Sequence, residues 1–373
     1  MTRPMRRALL VFLLTTALGG AVLVGVLNKL VHYPDTATGF AHGTVEVEIP
    51  KGAGARQVSE LLAAAGLLDS PSYFRLYAGQ RGVAARFKAG HYKIEAPVAP
   101  RKLVELMIRG AADELVAVTV PEGKNLIEVI DILDAAGVAP KAELMAQATD
   151  PAFARSLELP SASLEGYLFP DTYRLRPHMP AARALVALVR RHRQVFEELR
   201  AAHPTGMAML KNKLGFDDAR IVTLASIVEK ETGQPEERPR IAQVFINRLS
   251  KPSYRPKLLQ TDPTIIYGCT VAPIFLGKAS PACTQWDGRI RRIQLEDQAN
   301  LYNTYTHEGL PPGPIANPGR AALAAVMRPD GSPYLYFVSK NDGTHQFSAT
   351  LAEHEAAVVK YQRGGKPLAK GQP

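Results

Sequence analysis

The chain has 373 residues, of which 46% are hydrophobic and 21% are charged, so it is globular and long enough for two or three domains. Its 45 lysine and arginine residues outnumber 35 aspartate and glutamate residues, which gives a formal net charge of +10. Such an excess attracts polyanions, but the sequence has no zinc-finger spacing, no basic stripe interleaved with aromatic residues and no glycine-rich phosphate loop. We therefore expect no nucleic-acid partner; lipid headgroups and the acidic peptides of a wall polymer fit the charge better.

The N-terminus predicts a membrane anchor. Three arginines precede an uncharged run over residues 8–27, and a helix needs about 20 apolar residues to cross a bilayer. The run exceeds the ~7–15-residue core of a signal peptide, and no clean small-residue cleavage site follows it. We predict a cytoplasmic tail over residues 1–7 and a transmembrane anchor over 8–28. Because arginines stay on the cytoplasmic side, the rest of the chain would lie in the periplasm, outside the inner membrane. A cleaved signal peptide, the alternative, leads to the same compartment.

A small module is predicted over residues 44–112. The alternating segment VEVEIP after Thr44 predicts a strand, ARQVSELLAAAGLL predicts an amphipathic helix, and SPSYFRLYAGQR predicts a second helix that begins after Ser70. GHYKIEA then predicts a strand, and PRKLVELMIRGAA predicts a helix opened by Pro100. This order is that of a small α+β module with the size of a carbohydrate-binding domain, and a structural spacer would show the same pattern.

A second, larger domain is predicted from residue 113 onward. A new strand, ELVAVTVPEG, begins near Glu114, so we place the boundary at residues 111–113. Helices are predicted over residues 126–136, 141–147 and 181–202, and the basic side of the last one is typical of a solvated face. The tail over residues 363–373 is predicted to be disordered.

The segment DARIVTLASIVEKET predicts a helix that carries carboxylates at its C-terminal end. Apolar residues recur at i, i+3, i+4 and i+7 from Ile221, which predicts one buried stripe. At about 100° per residue, Glu231 lies beside that stripe, whereas Glu229 lies on the opposite flank. An apolar surface disfavours the charged form of a carboxyl and raises its pKa, as a general acid requires. Two solvated glutamates in a last helical turn are the alternative interpretation.

Polar residues suited to sugar binding follow the acid in two motifs, QTDPT and YNTY. Their amide, hydroxyl and carboxylate groups match the acetamido and hydroxyl groups of a sugar, with Thr304 among them. A loop stiffened by prolines, over residues 311–318, would form the rim of the cleft. We predict these substrate-binding residues: Gln260, Thr261, Asp262, Tyr267, Asn303 and Tyr305, with Glu229 beside the acid.

The two cysteines of the chain, Cys269 and Cys283, bound one loop. In an oxidising compartment they can form a disulfide, which would contribute ~3 kcal/mol by restricting the unfolded chain. Two free buried thiols are the alternative, and the sequence leaves this open. No histidines stand at ligand spacing, so we expect no zinc site, and no other metal or cofactor.

Six motifs in order resemble those of a known family. LEGYLFPDTY, ASIVEKET, VFINRL, LQTDPTIIYG, YNTYTHEGLPPGPIANPG and PYLYFV resemble, in order and spacing, the YceG-like family of endolytic murein transglycosylases (MltG). The resemblance runs from about Val45 to Tyr361 and includes the small module, which in that family is similar to LysM. It implies an α+β protein: a transmembrane helix, a LysM-like module over residues 44–112 and a larger mixed α/β catalytic domain over residues 113–362.

The resemblance also implies a function. Such an enzyme cleaves the bond between N-acetylmuramic acid and N-acetylglucosamine in nascent glycan strands and leaves a 1,6-anhydromuramoyl end. The family's catalytic glutamate falls within IVEKET, and we place it at Glu231 because its Glu-Thr pair looks like the Glu-Ser pair of other lytic transglycosylases; Glu229 is the alternative. The implied partners are peptidoglycan strands, the bilayer through residues 8–28, and penicillin-binding peptidoglycan synthases. The cysteine-bounded loop and the EHE at 353–355 depart from the family pattern.

Two other functions fit the same residues. A hydrolysing muramidase would use Asp262 or Glu229 as a second carboxylate and would leave reducing ends, which weigh one water more than anhydro ends. A non-catalytic peptidoglycan-binding scaffold of the wall-synthesis machinery would keep the cleft without the chemistry.

Overall fold

The computed structural model of this protein describes residues 3–110 and 115–364. The chain divides into two compact units, one ending at Asp113 and the other beginning at Glu114. The predicted boundary at residues 111–113 lies outside the described residues. So does nearly all of the tail that the sequence predicts to be disordered.

The first helix, α1, spans Arg3–His32. Among the described residues, one stretch is long and apolar enough to cross a bilayer, Thr16–Asp35, with a mean hydropathy of 1.2. This stretch overlaps the C-terminal part of the predicted anchor over residues 8–28. Signal sequences share the same length and composition, so the membrane anchor stays a prediction.

The small unit is built around one antiparallel pair of strands. In the pairing, Gly43 lies opposite Ala96 and Ile49 opposite Gly90. Alternate residues of both strands face the helices and join a core with Phe74, while the intervening charged residues face solvent. The elements follow in the predicted order: β1 Gly43–Ile49, α2 Ala55–Ala64, α3 Pro71–Gln80, β2 Gly90–Ala96 and α4 Pro100–Arg109.

The large unit is mainly helical, with two short antiparallel ribbons. In the first ribbon Val116 lies opposite Leu175, and in the second Tyr336 lies opposite Ser348. The chain is therefore a mixed helix-and-sheet protein, and each sheet in its described part has two strands. The elements are β3 Val116–Thr119, α5 Leu126–Ala135, α6 Lys141–Ala148, α7 Pro151–Ser156, β4 Thr172–Leu175, α8 Ala181–Ala202, α9 Pro204–Leu214, α10 Asp218–Glu231, α11 Arg238–Ser250, α12 Asp262–Thr270, α13 Ala272–Leu276, α14 Arg292–Leu295, α15 Arg320–Met327, β5 Tyr336–Ser339, β6 His345–Ser348 and α16 Leu351–Gln362.

Helix α10 lies inside the large unit and packs against α11, α12 and α15. Every residue from Ile221 to Glu229 is buried, so the prediction of one buried stripe is wrong. The polar residues of this stretch satisfy their hydrogen bonds internally: the hydroxyl of Ser226 donates to the carbonyl of Thr223 over 2.7 Å and accepts from the N–H of Ile315 over 3.0 Å. A helix covered on all sides holds its last residue, Glu231, at a fixed position.

Cys269 and Cys283 form a disulfide, with their Cα atoms 4.9 Å apart. The bond joins α12 to a short 3-10 turn at Pro281–Cys283. Both sulfurs pack with Ile265 in a small apolar cluster separate from the main core. The alternative of two free thiols does not apply, and the loop after α12 is tied to the helix that begins at Asp262.

Candidate active site

Glu231 is the last residue of α10, and its carboxylate is partly buried. It accepts a hydrogen bond from the hydroxyl of Thr261. Burial raises the pKa of Glu231 to about 7; the charge of Asp262 raises it as well, whereas the Thr261 hydrogen bond and the charges of Arg248 and His345 lower it. A carboxyl with this pKa is present in both protonated and ionised forms near neutral pH, so it can give up a proton and take one back.

A buried chain of hydroxyl groups orients Thr261. Its backbone N–H donates to the hydroxyl oxygen of Thr304 over 3.1 Å, and the Thr304 and Thr264 hydroxyls share a hydrogen bond of 2.9 Å. The Thr264 hydroxyl donates its one proton to the carbonyl of Thr261 over 2.7 Å, so Thr304 donates to Thr264. The QTDPT and YNTY motifs therefore meet at the acid, and the remaining hydroxyl, that of Thr261, points its proton at Glu231.

A second carboxylate, that of Asp262, lies next to this group at the start of α12. The phenol of Tyr305 donates a hydrogen bond of 2.7 Å to its Oδ1. Burial, followed by the charge of Asp262, raises the pKa of the Tyr305 phenol far above its ordinary value, so the phenol keeps its proton and stays a donor. Both residues are among those predicted to bind substrate.

Arg248, on α11, is buried and holds loops around the acid together. Its Nε donates to the carbonyl of Leu335 over 2.7 Å, and its Nη1 donates to the carbonyl of Leu259. Its guanidinium also lies over the rings of Tyr254 and Tyr336, at 5.7 and 5.6 Å from their centres, a favourable contact for a cation. The positive charge of Arg248 therefore lies close to Glu231 and is buried away from solvent.

The pair formed by Glu237 and His345 is a feature that sequence reasoning missed. The carboxylate of Glu237 accepts from the backbone N–H of His345 over 2.8 Å and contacts its Nδ1 at 2.6 Å. Glu237 follows the acid by one short loop, but 108 residues separate it from His345. No local pattern in the sequence signals a contact at that separation. The pair ties the loop after α10 to the second ribbon and brings an imidazole near the acid.

Glu229 lies away from this group, in a buried ion pair. Its Oε1 lies 2.7 Å from Nη2 of Arg238, and its Oε2 accepts the N–H of Gly319 over 2.9 Å. Only 4% of its side chain is exposed. The expectation that Glu229 could contact substrate or serve as the second carboxylate is therefore corrected, because both of its oxygens are already bound to protein donors.

Tyr267 is also turned inward, contrary to the expectation of a ring face or hydroxyl for a sugar. It is 4% exposed, and its phenol donates over 3.1 Å to the carboxylate of Glu165. Glu165 accepts as well from the N–H of Leu126 at the start of α5 and from the amide of Asn317. Burial raises the pKa of Glu165 to about 8. This cluster joins α5, α12 and the loop before α15, and its role is structural.

Asn303 and Gln260 differ sharply in exposure. Asn303 is fully buried, and its amide donates to three backbone carbonyls, those of Gln294, Leu295 and Asp297, at 2.9 to 3.1 Å. Its predicted role as a sugar ligand is corrected to a role in loop structure. Gln260 is exposed, has a φ of 52° and stands beside Thr261; its side-chain oxygen accepts from the hydroxyl of Tyr254 over 3.4 Å, and its exposed side chain can be reached by a ligand.

The residues that the structure brings together around the acid are thus a subset of those predicted. Thr261, Asp262 and Tyr305 lie at the acid, with Gln260 next to them. A cavity of about 710 Å³ opens at the other end of α10, beside Lys257 and Glu308, and is not lined by Glu231. Among the described residues, no group of three or more His, Cys, Asp or Glu side chains could hold a metal ion.

Known proteins with similar sequences and structures were found. The model of the YceG-like family matches residues 47–360. An endolytic murein transglycosylase of Bacillus subtilis (strain 168) is 30% identical over 359 residues, covering 92% of this chain and 91% of that protein. A protein of the same name from Streptococcus pneumoniae (strain ATCC BAA-255 / R6) is 26% identical, and this chain covers 58% of its length.

A solved structure gives a consistent result. The crystal structure of a YceG-like protein from Listeria monocytogenes is 28% identical to this chain and superposes with a TM-score of 0.51. The match covers 85% of this chain and all of the Listeria chain. The family model, the similar sequences and the similar structure therefore all belong to YceG-like proteins or proteins named endolytic murein transglycosylase.

Proposed function

This chain belongs to the YceG-like family, and from that premise we propose that it is an endolytic murein transglycosylase. Its substrate would be the bond between N-acetylmuramic acid and N-acetylglucosamine, and its product a 1,6-anhydromuramoyl end. The single observation that carries the proposal is the partly buried carboxyl of Glu231, with its pKa raised to about 7, at the end of a rigid helix and beside exposed polar groups. The names of the relatives support the same substrate class.

In the first step, Glu231 acts as a general acid. Its proton moves to the glycosidic oxygen while the bond from that oxygen to C1 of the muramoyl residue breaks. Proton transfer of this kind supplies roughly 10²–10⁴-fold in rate. The charge that then remains on Glu231 is stabilised by the Thr261 hydroxyl, by Arg248 and by His345, the groups that lower its pKa.

In the second step, the same carboxylate acts as a general base. It takes the proton from the C6 hydroxyl of the muramoyl residue, and the oxygen of that hydroxyl attacks C1 and closes the anhydro ring. The proton lost in the first step is regained, so no water is consumed. Because the nucleophile belongs to the same sugar, its effective concentration is high, and the reaction needs no second carboxylate to activate water.

A hydrolysing muramidase remains the second candidate, for one reason. Asp262 lies close enough to Glu231 for its charge to raise the pKa of the acid, so a second carboxylate is present that could activate water. The phenol of Tyr305 donates a hydrogen bond to its Oδ1. Glu229 is not a candidate for this role, since Arg238 and Gly319 bind both of its oxygens.

The remaining parts of the chain have proposed roles as well. We propose that α1 anchors the protein in the inner membrane with its N-terminus in the cytoplasm, and that the large unit works in the periplasm. The small unit, residues 44–112, would be the LysM-like module that holds glycan strands. Contact with penicillin-binding peptidoglycan synthases stays a prediction from the family resemblance.

The products of the reaction test the proposal. Purified full-length protein in detergent is incubated with peptidoglycan sacculi, and the released fragments are weighed by mass spectrometry. We expect anhydro ends, released roughly 10²–10⁴-fold more slowly by the Glu231→Gln protein. Reducing ends, one water heavier, would identify a hydrolase instead. Fragments released by Glu231→Gln at the parent rate would remove Glu231 from the catalytic role, and no fragments from the parent protein would favour the scaffold.

A further inference from the structure

The cavity of about 710 Å³ opens at the N-terminal end of α10. Its walls come from the start of that helix, from the segment around Lys257 and from the loop over residues 308–312. None of the residues assigned above to proton transfer lines it. The cavity is therefore not part of the proton-transfer site, and we consider its function separately.

Helix geometry places the cavity on the same side of α10 as the acid. Arg220, which lines the cavity, and Glu231 are both in α10, and their positions differ by eleven residues, which corresponds to three full turns and about 20°. The two side chains therefore leave the helix in nearly the same direction. At about 1.5 Å per residue, they are about 16 Å apart along the axis.

Two paired loop segments connect the same two places. The N–H of Gly309 donates to the carbonyl of Lys257 over 2.9 Å, and the N–H of Gln260 donates to the carbonyl of Thr304 over 3.0 Å. Segment 257–261 therefore runs beside segment 304–309, with one end at the cavity and the other at Thr261. Four residues of fully extended chain span about 13 Å; Gln260, with a φ of 52°, is not extended, so the segment covers at most that length of the separation along the helix.

The lining of the cavity combines both charges with an apolar wall. Arg220 is exposed; its Nη1 donates to the carbonyl of Gly215 over 2.9 Å, and it forms no ion pair with any carboxylate of the described residues. Asp217 and Glu308, both exposed, provide negative charge, and Leu310 is part of the apolar wall. A ligand that carries carboxylates, an amine and small apolar groups fits these walls.

Further sugar units fit the walls less well. Sugars offer hydroxyl and acetamido groups, which side-chain amides and hydroxyls pair with. Among the lining residues there is no asparagine or glutamine, and the one aromatic residue, Phe216, is 9% exposed. The exposed guanidinium of Arg220, which bonds to one backbone carbonyl and forms no ion pair with a carboxylate of the described residues, is better matched to a carboxylate, which arginine binds through two parallel hydrogen bonds.

We propose that this cavity binds the short peptide that murein carries on the sugar beside the cleaved bond, with Arg220 pairing a peptide carboxylate. The inference rests on the proposed function, because it names the part of that substrate which lies next to the reacting sugar. An extended peptide of four residues reaches up to about 14 Å, within a few ångström of the separation of about 16 Å between Glu231 and Arg220 along the helix axis. Peptide in the cavity would set which glycosidic bond lies at Glu231.

Direct binding tests the site without reference to cleavage. The probe is a synthetic tetrapeptide of alanine, γ-linked D-glutamate, lysine and D-alanine, titrated into the full-length protein in detergent and followed by calorimetry or by fluorescence of a labelled peptide. We expect Arg220→Ala to weaken binding about fivefold to tenfold, the loss of one charge-assisted contact. Lys211→Ala, which removes an equal charge on α9 outside the cavity, should bind like the parent, and tetra-alanine should bind more weakly.

Cleavage then shows whether the site serves the reaction. Peptide-bearing strands are compared with strands stripped of peptide by an amidase, and the ratio of the two rates is measured. We expect the ratio to fall about fivefold to tenfold in Arg220→Ala and to stay at the parent value in Lys211→Ala. Equal peptide binding by Arg220→Ala and Lys211→Ala overturns the site. A parent protein that binds peptide but cleaves neither substrate contradicts the proposed function and leaves the site standing.

Discussion

Two glutamates of α10, only two residues apart, lie in opposite surroundings. Glu229 has both oxygens bound, by the guanidinium of Arg238 and by the N–H of Gly319, and its side chain is 4% exposed. Glu231 has one hydroxyl donor, that of Thr261, and keeps part of its surface open. Position along the helix therefore does not decide the role of a carboxyl; the donors that the rest of the fold brings to it do.

The surroundings of the two glutamates also predict different effects of substitution on stability and on catalysis. Burial raises the pKa of Glu229 as well, but its hydrogen bond from Gly319 and the charge of Arg238 oppose that rise, and removing one partner of the ion pair leaves the other unpaired. A carboxyl that burial holds near a pKa of about 7 costs stability whenever it is charged, and this cost is what makes it a proton donor. Substitutions at the two positions should therefore differ in the sign of their effects.

The largest expected difference is in rate. Glu231→Gln should lower kcat/KM by roughly 10²–10⁴-fold, because it removes the transferable proton. Glu229→Gln, assayed at a temperature where it is folded, should retain most of the rate because its side chain lies outside the reacting group. Initial rates of fragment release from sacculi measure both. Equal losses in the two proteins would break the comparison.

The next largest effect is on folding. Glu229→Gln should lower the free energy of unfolding by about 2–4 kcal/mol, because its amide nitrogen would face the donors of buried Arg238. Denaturant melts at neutral pH measure the loss. Replacing both partners, as Glu229→Met with Arg238→Met, should recover much of it. An undiminished melting midpoint for Glu229→Gln alone would show that the ion pair contributes nothing.

A smaller effect of the opposite sign is expected for Glu231→Gln. The pKa of Glu231 is raised from 4.5 to about 7, so between these values the folded chain holds a proton that the unfolded chain has lost, and stability falls as the pH rises. Glu231→Gln has no ionisable group at this position, so it removes this loss of stability at higher pH. We expect up to about 3 kcal/mol of added stability at pH 8 and none at pH 4, measured by denaturant melts at both values. A difference that does not depend on pH would contradict the raised pKa.

The smallest effects should appear in the pH dependence of the rate. Activity needs protonated Glu231, so the rate falls above its pKa. Thr261→Val removes a group that lowers this pKa and should move the alkaline limb up by about one unit, whereas Asp262→Asn removes a charge that raises it and should move the limb down by up to about one unit. Thr261→Ser keeps the hydroxyl and is the control. Shifts in the same direction would refute the account of these two neighbours.

Local sequence patterns predicted the secondary structure well. The alternation after Thr44 and the segment GHYKIEA became the paired strands β1 and β2, and the long helix predicted over residues 181–202 is α8. These elements are set by periodicity and by turn residues, which act over a few positions. The one-stripe prediction for α10 failed because neighbouring helices cover that helix on every side, and periodicity carries no information about neighbours.

The predictions for Thr261 and Asp262 rest on residue types, and the prediction for Glu231 rests also on the family resemblance. The structure places these three residues together, and their roles stay predictions. Tyr267 and Asn303 carry the same kinds of groups, but the fold uses them internally: the carboxylate that holds Tyr267 belongs to Glu165, 102 residues earlier in the chain. Residue type gives the capacity for a hydrogen bond, and only the tertiary structure says which partner takes it.

The long-range contacts also set when the enzyme can first act. Asn317 bonds to Leu168, 149 residues before it, and Glu237 bonds to His345, 108 residues after it. A ribosome that has completed α10 has made the acid but not the loops and imidazole around it. The candidate active site is thus assembled only when synthesis is nearly complete, and a chain truncated after α10 carries Glu231 without the groups that orient its carboxyl.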